Sequence, residues 1–126
     1  ASRNNRVGIN TNLELIYNPN CSKCVKTLSI IKAHGHTPLL INYLDVPLNH
    51  SFLKTLVSKL DIKLLDLFRL NEHDHKTHDL ISKSENELLE FATSNPILIQ
   101  RPIAICRDKA IICRPPERVL DILKNM

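Results

Sequence analysis

The sequence predicts a single α/β domain in which a helical insertion interrupts a mixed four-stranded sheet. Three observations support this prediction. The chain has 126 residues and 43% hydrophobic content, which suffices for one core. Its first third shows a strand, a helix and a second strand, and its last quarter shows two short strands and a helix. Between them, residues 47–94 carry only helical patterns, so we expect an insertion and not a separate domain.

The first strand and helix are predicted by apolar patterns and by their stop signals. Leu13–Tyr17 is a short apolar run that ends at Asn-Pro, as a buried strand would. A helix is predicted from Ser22 to about Ala33, where His34-Gly35 ends it. Pro38–Leu44 is the second predicted strand, so the unit is βαβ with parallel strands and a right-handed crossover. The expected buried face of the helix comprises Val25, Leu28, Ile30 and Ile31.

The insertion is predicted to contain several helices. After a turn at Asp45–Asn49, one helix has the apolar face Leu53, Leu56, Val57 and Leu60. Leu64–Phe68 suggests a short helix leading to Arg69, and the polar, His-rich stretch from Asn71 to Lys83 suggests a loop or irregular helix. Ser84–Glu87 has the form of a capping box. The helix that it opens has the apolar face Leu88, Leu89, Phe91 and Ala92.

The last quarter predicts a hairpin and a closing helix. Ile103–Cys106 and Ala110–Cys113 suggest antiparallel strands joined by a tight turn near Arg107-Asp108. Arg114–Glu117 contains two prolines, which suit the first turn of a helix. The expected buried face of that helix comprises Val119, Leu120, Ile122 and Leu123. This order of elements is typical of a thioredoxin-like domain with a helical insertion.

Charge and composition exclude several classes of function. The formal net charge is +4, and the basic residues are spread along the chain, which favours small anions over nucleic acid. Aromatic residues make up only 4%, so platforms for base stacking are not expected. No segment approaches the ~18 apolar residues of a membrane helix. Residues 1–10 are polar and basic, without a signal peptide's apolar core, so we expect a disordered arm and a cytoplasmic protein.

A cysteine pair occurs where the first helix should begin. Cys21 at the first turn would lie among unpaired N–H groups and at the positive end of the helix dipole, which favour the thiolate, and Lys23 adds positive charge. Cys24 follows one turn later, so the pair can form a disulfide, as redox C-x-x-C motifs do. Half of a zinc site is the alternative, but no second pair follows at finger spacing.

Other residues that could carry chemistry have simpler interpretations. In a chain without a secretion signal, four cysteines indicate reactive thiols more than a disulfide framework. Cys106 and Cys113 are nevertheless expected to be small buried side chains on strands. A loose set of possible metal ligands lies in the insertion, but we predict a solvated loop and no metal there. This set comprises His73, Asp74, His75, His78 and Asp79.

Three blocks of the sequence resemble the ArsC family. They are Asn18-Pro19-x-Cys21-Ser22-Lys23, the stretch Asn95–Ile103, and Arg114-Pro115-Pro116-Glu117. The blocks occur in the family's order, and the resemblance runs from about Leu13 to Leu123. This family includes glutaredoxin-dependent arsenate reductases and, more distantly, Spx-type regulators.

The resemblance implies a nucleophile and an oxyanion clamp. Cys21 matches the cysteine that attacks arsenate, and Arg69, Arg101 and Arg114 match the arginines that hold the oxyanion. The chemistry is sound, because a thiolate approaches an anion only when positive charge screens both, and guanidinium groups suit tetrahedral oxyanions. The alternative for each arginine is an ordinary surface or carboxylate-paired side chain.

Three further residues are expected to support the site. Pro102 resembles the cis-proline that thioredoxin-like folds place opposite the active cysteine, the alternative being an ordinary trans proline. Asn18 and Ser22 either orient the thiolate by hydrogen bonding or serve only the turn and the helix cap.

The sequence also departs from the reductase pattern. Tyr17 stands where these reductases commonly have histidine, and Val25 stands where an arginine is often found. Cys24 creates a C-x-x-C motif that resembles the Spx-type redox switch and offers a resolving thiol for a Cys21 adduct.

The combined prediction is a thiol oxidoreductase that reduces a small oxyanion, with arsenate as the substrate that the family implies. It would bind no cofactor and would take electrons from glutathione and glutaredoxin or from thioredoxin, without contacting nucleic acid or a membrane. Two alternatives stay open: a redox-sensing Spx-type regulator that binds RNA polymerase, and a thiol-disulfide protein with another substrate.

Overall fold

Four strands form one mixed sheet in the computed structural model, which describes residues 10–43, 48–69 and 80–124. The strands are β1 (Asn10–Tyr17), β2 (Pro38–Asn42), β3 (Ile103–Cys106) and β4 (Lys109–Ile112), in the order β2-β1-β3-β4. Strand β1 pairs parallel with β2 and antiparallel with β3, which pairs antiparallel with β4. The predicted mixed sheet, its parallel pair and its hairpin are therefore confirmed. The chain divides into two compact units, and the sheet belongs to the first, residues 1–42 and 101–126.

Helix α1 (Ser22–Ala33) connects β1 to β2 with the predicted bounds, but its buried face differs from the expected one. It buries Cys24, Thr27 and Ile31, whereas Val25 is 50% exposed. Thr27 can be buried because its hydroxyl donates to the carbonyl oxygen of Lys23 at 2.8 Å, which satisfies the polar group. The prediction that Val25 faces the core is therefore wrong.

The closing helix begins as a 3₁₀-helix over Pro116–Val119 and continues as the short α-helix α4 (Leu120–Leu123). It places Val119, Ile122 and Leu123 in a core formed with β1, α1 and the hairpin. Leu120 is 38% exposed, against the prediction. A 3₁₀-helix has three residues per turn and an α-helix has 3.6. The 3₁₀ turn over Pro116–Val119 therefore rotates the buried face of α4 away from Leu120.

The second unit covers residues 43–100 and contains the elements predicted for the insertion. Helix α2 (His50–Leu60) is capped by the Asn49 side chain, which accepts from the Phe52 N–H at 2.7 Å. Helix α3 (Glu85–Ser94) has both hydrogen bonds of the predicted capping box. The predicted short helix is a 3₁₀-helix over Leu64–Leu67, and a second 3₁₀-helix spans Pro96–Leu98.

Some predictions fall on residues outside the described ranges. These are most of the arm, the turn residues 45–47 and the possible metal ligands His73, Asp74, His75, His78 and Asp79. Asn10, predicted as part of the disordered arm, instead begins β1. None of the helices within 10–43, 48–69 and 80–124 has the length and apolar character needed to cross a bilayer.

Candidate active site

A tight turn after β1 delivers Cys21 to the start of α1. The Cys21 N–H donates to the Asn18 carbonyl at 3.0 Å, and the Asn20 N–H donates to the Asn18 side-chain oxygen at 2.9 Å. Cys21 is the N-cap of α1, with extended backbone angles, and its carbonyl accepts the first helical bond, from Val25. The predicted position of Cys21 at the start of the helix is therefore confirmed, although its side chain makes no capping hydrogen bond.

The surroundings of the partly exposed Cys21 favour its thiolate. Burial raises its pKa, but the polar groups of the first turn, which are the Cys24 backbone, the Cys24 thiol and the Lys23 backbone, outweigh that effect, and the Arg101 charge adds to them. The resulting pKa of Cys21 lies below the ordinary value of 9.0. Lys23 contributes to this shift of the Cys21 pKa through its backbone.

Cys24 differs from Cys21 in both its burial and the direction of its pKa shift. Its side chain is fully buried, and its sulfur accepts a hydrogen bond from the Asn18 N–H at 3.4 Å. Burial raises the pKa of Cys24 to about 11, and the hydrogen bond and negative charge of Cys21 contribute to the rise. The shared proton of the pair therefore favours Cys24 over Cys21.

Two arginines of the first unit flank the hairpin: Arg101 lies just before β3, and Arg114 lies just after β4. Arg101 is only 8% exposed, and its charge acts on both cysteines. The Arg114 Nη1 donates to the Arg101 carbonyl at 3.1 Å, and the Cys113 N–H donates to the Pro102 carbonyl at 2.9 Å. The Arg101–Pro102 peptide is cis, as the resemblance predicted, and the Arg114–Pro115 peptide is also cis, which we did not predict.

The remaining predicted site residues, Ser22 and Arg69, are both exposed. Ser22 is the exposed first residue of α1. Arg69 belongs to the second unit, where its side chain is exposed and its N–H donates to the Leu98 carbonyl at 2.6 Å. The role of Ser22 in orienting the thiolate and the role of Arg69 in binding an oxyanion stay predictions.

The other two cysteines are buried, as predicted. Burial raises the pKa of Cys113 to about 12, and the negative charge of Cys24 acts in the same direction. No local pattern predicts that Cys113 lies close enough to Cys24 to feel its charge, because the two residues are 89 positions apart in the sequence. Within the part of the chain that the structure describes, no three His, Cys, Asp or Glu side chains group as metal ligands.

Comparison with known proteins identifies the family. The model of the ArsC family matches residues 16–122, which is most of the chain. The chain belongs to the ArsC family. An uncharacterised ArsC relative, YfgD of Escherichia coli, is 36% identical over 114 residues, covering 88% of this chain and 96% of its own length. An arsenate reductase of Yersinia enterocolitica is 35% identical over 115 residues, covering 90% of this chain and 82% of its own.

A solved structure also shares the ArsC fold seen here. The structure of an arsenate reductase from Vibrio cholerae superposes with a TM-score of 0.80 and 33% identity. The match covers 87% of this chain and 96% of that protein. The thioredoxin-like α/β fold with a helical insertion is therefore confirmed.

Proposed function

We propose that this ArsC-family chain is an oxidoreductase that reduces arsenate through the thiolate of Cys21. The observation that carries the proposal is the environment of Cys21, which combines helix-start hydrogen bonds with the charge of the buried Arg101. A lowered pKa increases the fraction of Cys21 present as the nucleophilic thiolate, and the same positive charge would attract an anionic substrate. The names of two relatives at 33–35% identity, both arsenate reductases, support the choice of substrate.

The proposed reaction begins with attack of the Cys21 sulfur on arsenic. An S–As bond forms, and one arsenate oxygen leaves as water after taking up protons from solvent. Arg101, Arg114 and Arg69 are the proposed partners of the remaining oxygens, where guanidinium groups offset the negative charge that accumulates. Asn18 supports this step by holding the Cys21 N–H, and Ser22 and Pro102 are proposed to line the site.

Reduction requires a second thiol. That thiol attacks the Cys21 sulfur, the S–As electron pair stays on arsenic, and arsenite leaves as a disulfide forms. No bound cofactor is needed, because glutathione with glutaredoxin, or thioredoxin, supplies the two electrons that restore Cys21.

An arsenate-dependent assay of NADPH oxidation tests the proposal, with glutathione, glutaredoxin and glutathione reductase or with thioredoxin and its reductase. We expect turnover by the wild type, none by Cys21→Ser, and near-normal turnover by Cys106→Ala, which removes a buried thiol on β3. Absence of arsenate-dependent oxidation in both donor systems would contradict the proposal.

A second candidate function is a regulator of the Spx type without turnover. It is favoured by the buried Cys24, which forms a C-x-x-C pair with Cys21 and could close a reversible disulfide. Its partner would be RNA polymerase. Purified polymerase should then be retained by the immobilised protein in one redox state more than in the other. Equal or absent retention in both states would remove this candidate.

A further inference from the structure

One residue binds both cysteines of the C-x-x-C motif through its main chain. The Asn18 carbonyl accepts from the Cys21 N–H at 3.0 Å, and the Asn18 N–H donates to the Cys24 sulfur at 3.4 Å. Asn18 itself is buried, with 6% exposure. The loop therefore ties the Cys21 backbone and the Cys24 sulfur to one and the same residue. Cys21 is the N-cap of α1 and Cys24 is its third residue, which is the spacing at which C-x-x-C pairs form disulfides.

We propose that Cys24 resolves the adduct formed on Cys21, so that the chain completes one reduction with its own two thiols and is regenerated by a dithiol protein. This inference rests on the proposed function for its substrate, but the resolving step itself does not depend on which group is attached to Cys21.

The step balances without any further reactant. The Cys24 sulfur loses its proton to solvent and attacks the Cys21 sulfur. The Cys21–arsenic bond breaks, its electron pair reduces arsenic from the +5 to the +3 state, and a Cys21–Cys24 disulfide forms. An external dithiol then reduces that disulfide and becomes a disulfide itself.

The site activates Cys24 only after Cys21 has reacted. In the free enzyme, burial, the hydrogen bond to Cys21 and the charge of Cys21 all raise the pKa of Cys24. Once the Cys21 sulfur is bonded to arsenic, it no longer carries a negative charge, and it no longer accepts a hydrogen bond from the Cys24 thiol. The Asn18 N–H and the Arg101 charge, which lower the pKa of Cys24, both remain. The pKa of Cys24 therefore falls at the moment when its thiolate is required.

Burial also decides how the disulfide is reduced. Cys24 is fully buried, whereas Cys21 is partly exposed, so an incoming thiolate reaches only the Cys21 sulfur. Cys24 is then the leaving thiolate, and the Asn18 N–H is already aimed at it. Glutathione would have to compete with a thiol held beside Cys21, where proximity gives the intramolecular reaction a large advantage. A partner with two thiols, such as thioredoxin, competes with Cys24 on equal terms, because its own second thiol also attacks the mixed disulfide intramolecularly.

A single-turnover experiment tests the inference with substrate. Protein is reduced, freed of reductant and mixed with arsenate. We expect about one arsenite per chain from the wild type and from Cys106→Ala, with loss of two thiols, and none from Cys24→Ser until glutathione is added. Equal dependence of the wild type and Cys24→Ser on glutathione would overturn the inference while leaving the proposed function intact.

A second experiment tests the resolving step without arsenate. The reduced protein is treated with glutathione disulfide and analysed by mass spectrometry after acid quenching. We expect an internal Cys21–Cys24 disulfide in the wild type and a stable glutathione adduct on Cys21 in Cys24→Ser, with Cys24→Ala as a second variant. A stable glutathione adduct on wild-type Cys21 would overturn the inference whether or not the protein reduces arsenate.

Discussion

The guanidinium group of Arg114 donates a hydrogen bond from Nη1 to the main-chain carbonyl of Arg101 at 3.1 Å. Two positively charged residues are thereby fixed in one part of the first unit, although their charges repel each other. The carbonyl dipole makes this possible, because the contact is to a partially negative oxygen. Because Arg114 binds the backbone of Arg101, the charge on the Arg101 side chain can still lower the pKa of both cysteines.

Replacing Arg101 should weaken the thiolate of Cys21. Burial already opposes ionisation there, and Arg101→Gln removes the charge that helps to offset it, so the pKa of Cys21 should rise. If Arg101 also holds the oxyanion, kcat/KM for arsenate should fall by about 10²- to 10³-fold. The pH dependence of alkylation by iodoacetamide measures the first effect. Arg101→Lys keeps the charge and should shift the pKa less, and an equal shift in both variants would contradict this account.

Arg114 should affect the substrate more than the thiol. It contacts the Arg101 backbone and is not among the groups that set the pKa of Cys21. We expect Arg114→Gln to lower kcat/KM by about 10²-fold while the alkylation profile of Cys21 moves less than in Arg101→Gln. A larger change of the profile in Arg114→Gln than in Arg101→Gln would show that the roles are reversed.

The Cys24 thiol should tune the pH dependence of Cys21. Alkylation of Cys21 rises with pH as its thiol ionises, and the pKa of Cys21 lies below the ordinary 9.0 partly because Cys24 donates to it. Cys24→Ala removes this donor, so the rise should move to higher pH. Cys24→Ser keeps a hydroxyl donor and should move the rise less. Identical profiles in the wild type and Cys24→Ala would show that the donor has no effect.

Much of the fold followed from local patterns in the sequence. The apolar run Leu13–Tyr17, the hairpin strands and the Ser84–Glu87 capping box each depend on neighbouring residues, and the structure contains all three. The position of Cys21 was equally predictable, because Asn-Pro ends the strand immediately before it.

The electrostatics of the site could not be predicted in the same way. The hydrogen bond from the Asn18 N–H to Cys24 depends on how the turn folds back on α1, and the effect of Arg101 on Cys21 depends on tertiary packing. The burial errors have local causes. Val25 is exposed because Cys24 and Thr27 occupy the buried face, and Leu120 is exposed because a 3₁₀ turn precedes it.

The capping box should contribute measurably to the stability of the second unit. Ser84 Oγ accepts from the Glu87 N–H at 3.3 Å, and a Glu87 carboxylate oxygen accepts from the Ser84 N–H at 3.0 Å. Ser84→Ala should therefore lower the free energy of unfolding by about 1 kcal/mol. Ser94→Ala, at the exposed end of the same helix, is the matched control and should change it by less than about 0.5 kcal/mol. Urea unfolding measures both, and equal losses would argue against the cap.

Cys113 should make the protein lose stability in alkali. Burial raises its pKa from 9.0 to about 12, so above pH 9 the unfolded chain releases this proton while the folded chain retains it. The stabilising contribution is complete below pH 9 and is lost as pH rises towards 12, amounting to roughly 4 kcal/mol for three pKa units. Cys113→Ala should be less stable than the wild type by about 1 kcal/mol at neutral pH because of the lost packing. That difference should shrink and then reverse as pH rises, and urea unfolding under reducing conditions measures it.

The second variant, Cys113→Val, retains more of the side-chain volume. Its free energy of unfolding at neutral pH should therefore differ from that of Cys113→Ala, but its difference from the wild type should change with pH in the same way. A difference from the wild type that stays constant with pH would show that Cys113 ionises equally in the folded and unfolded states.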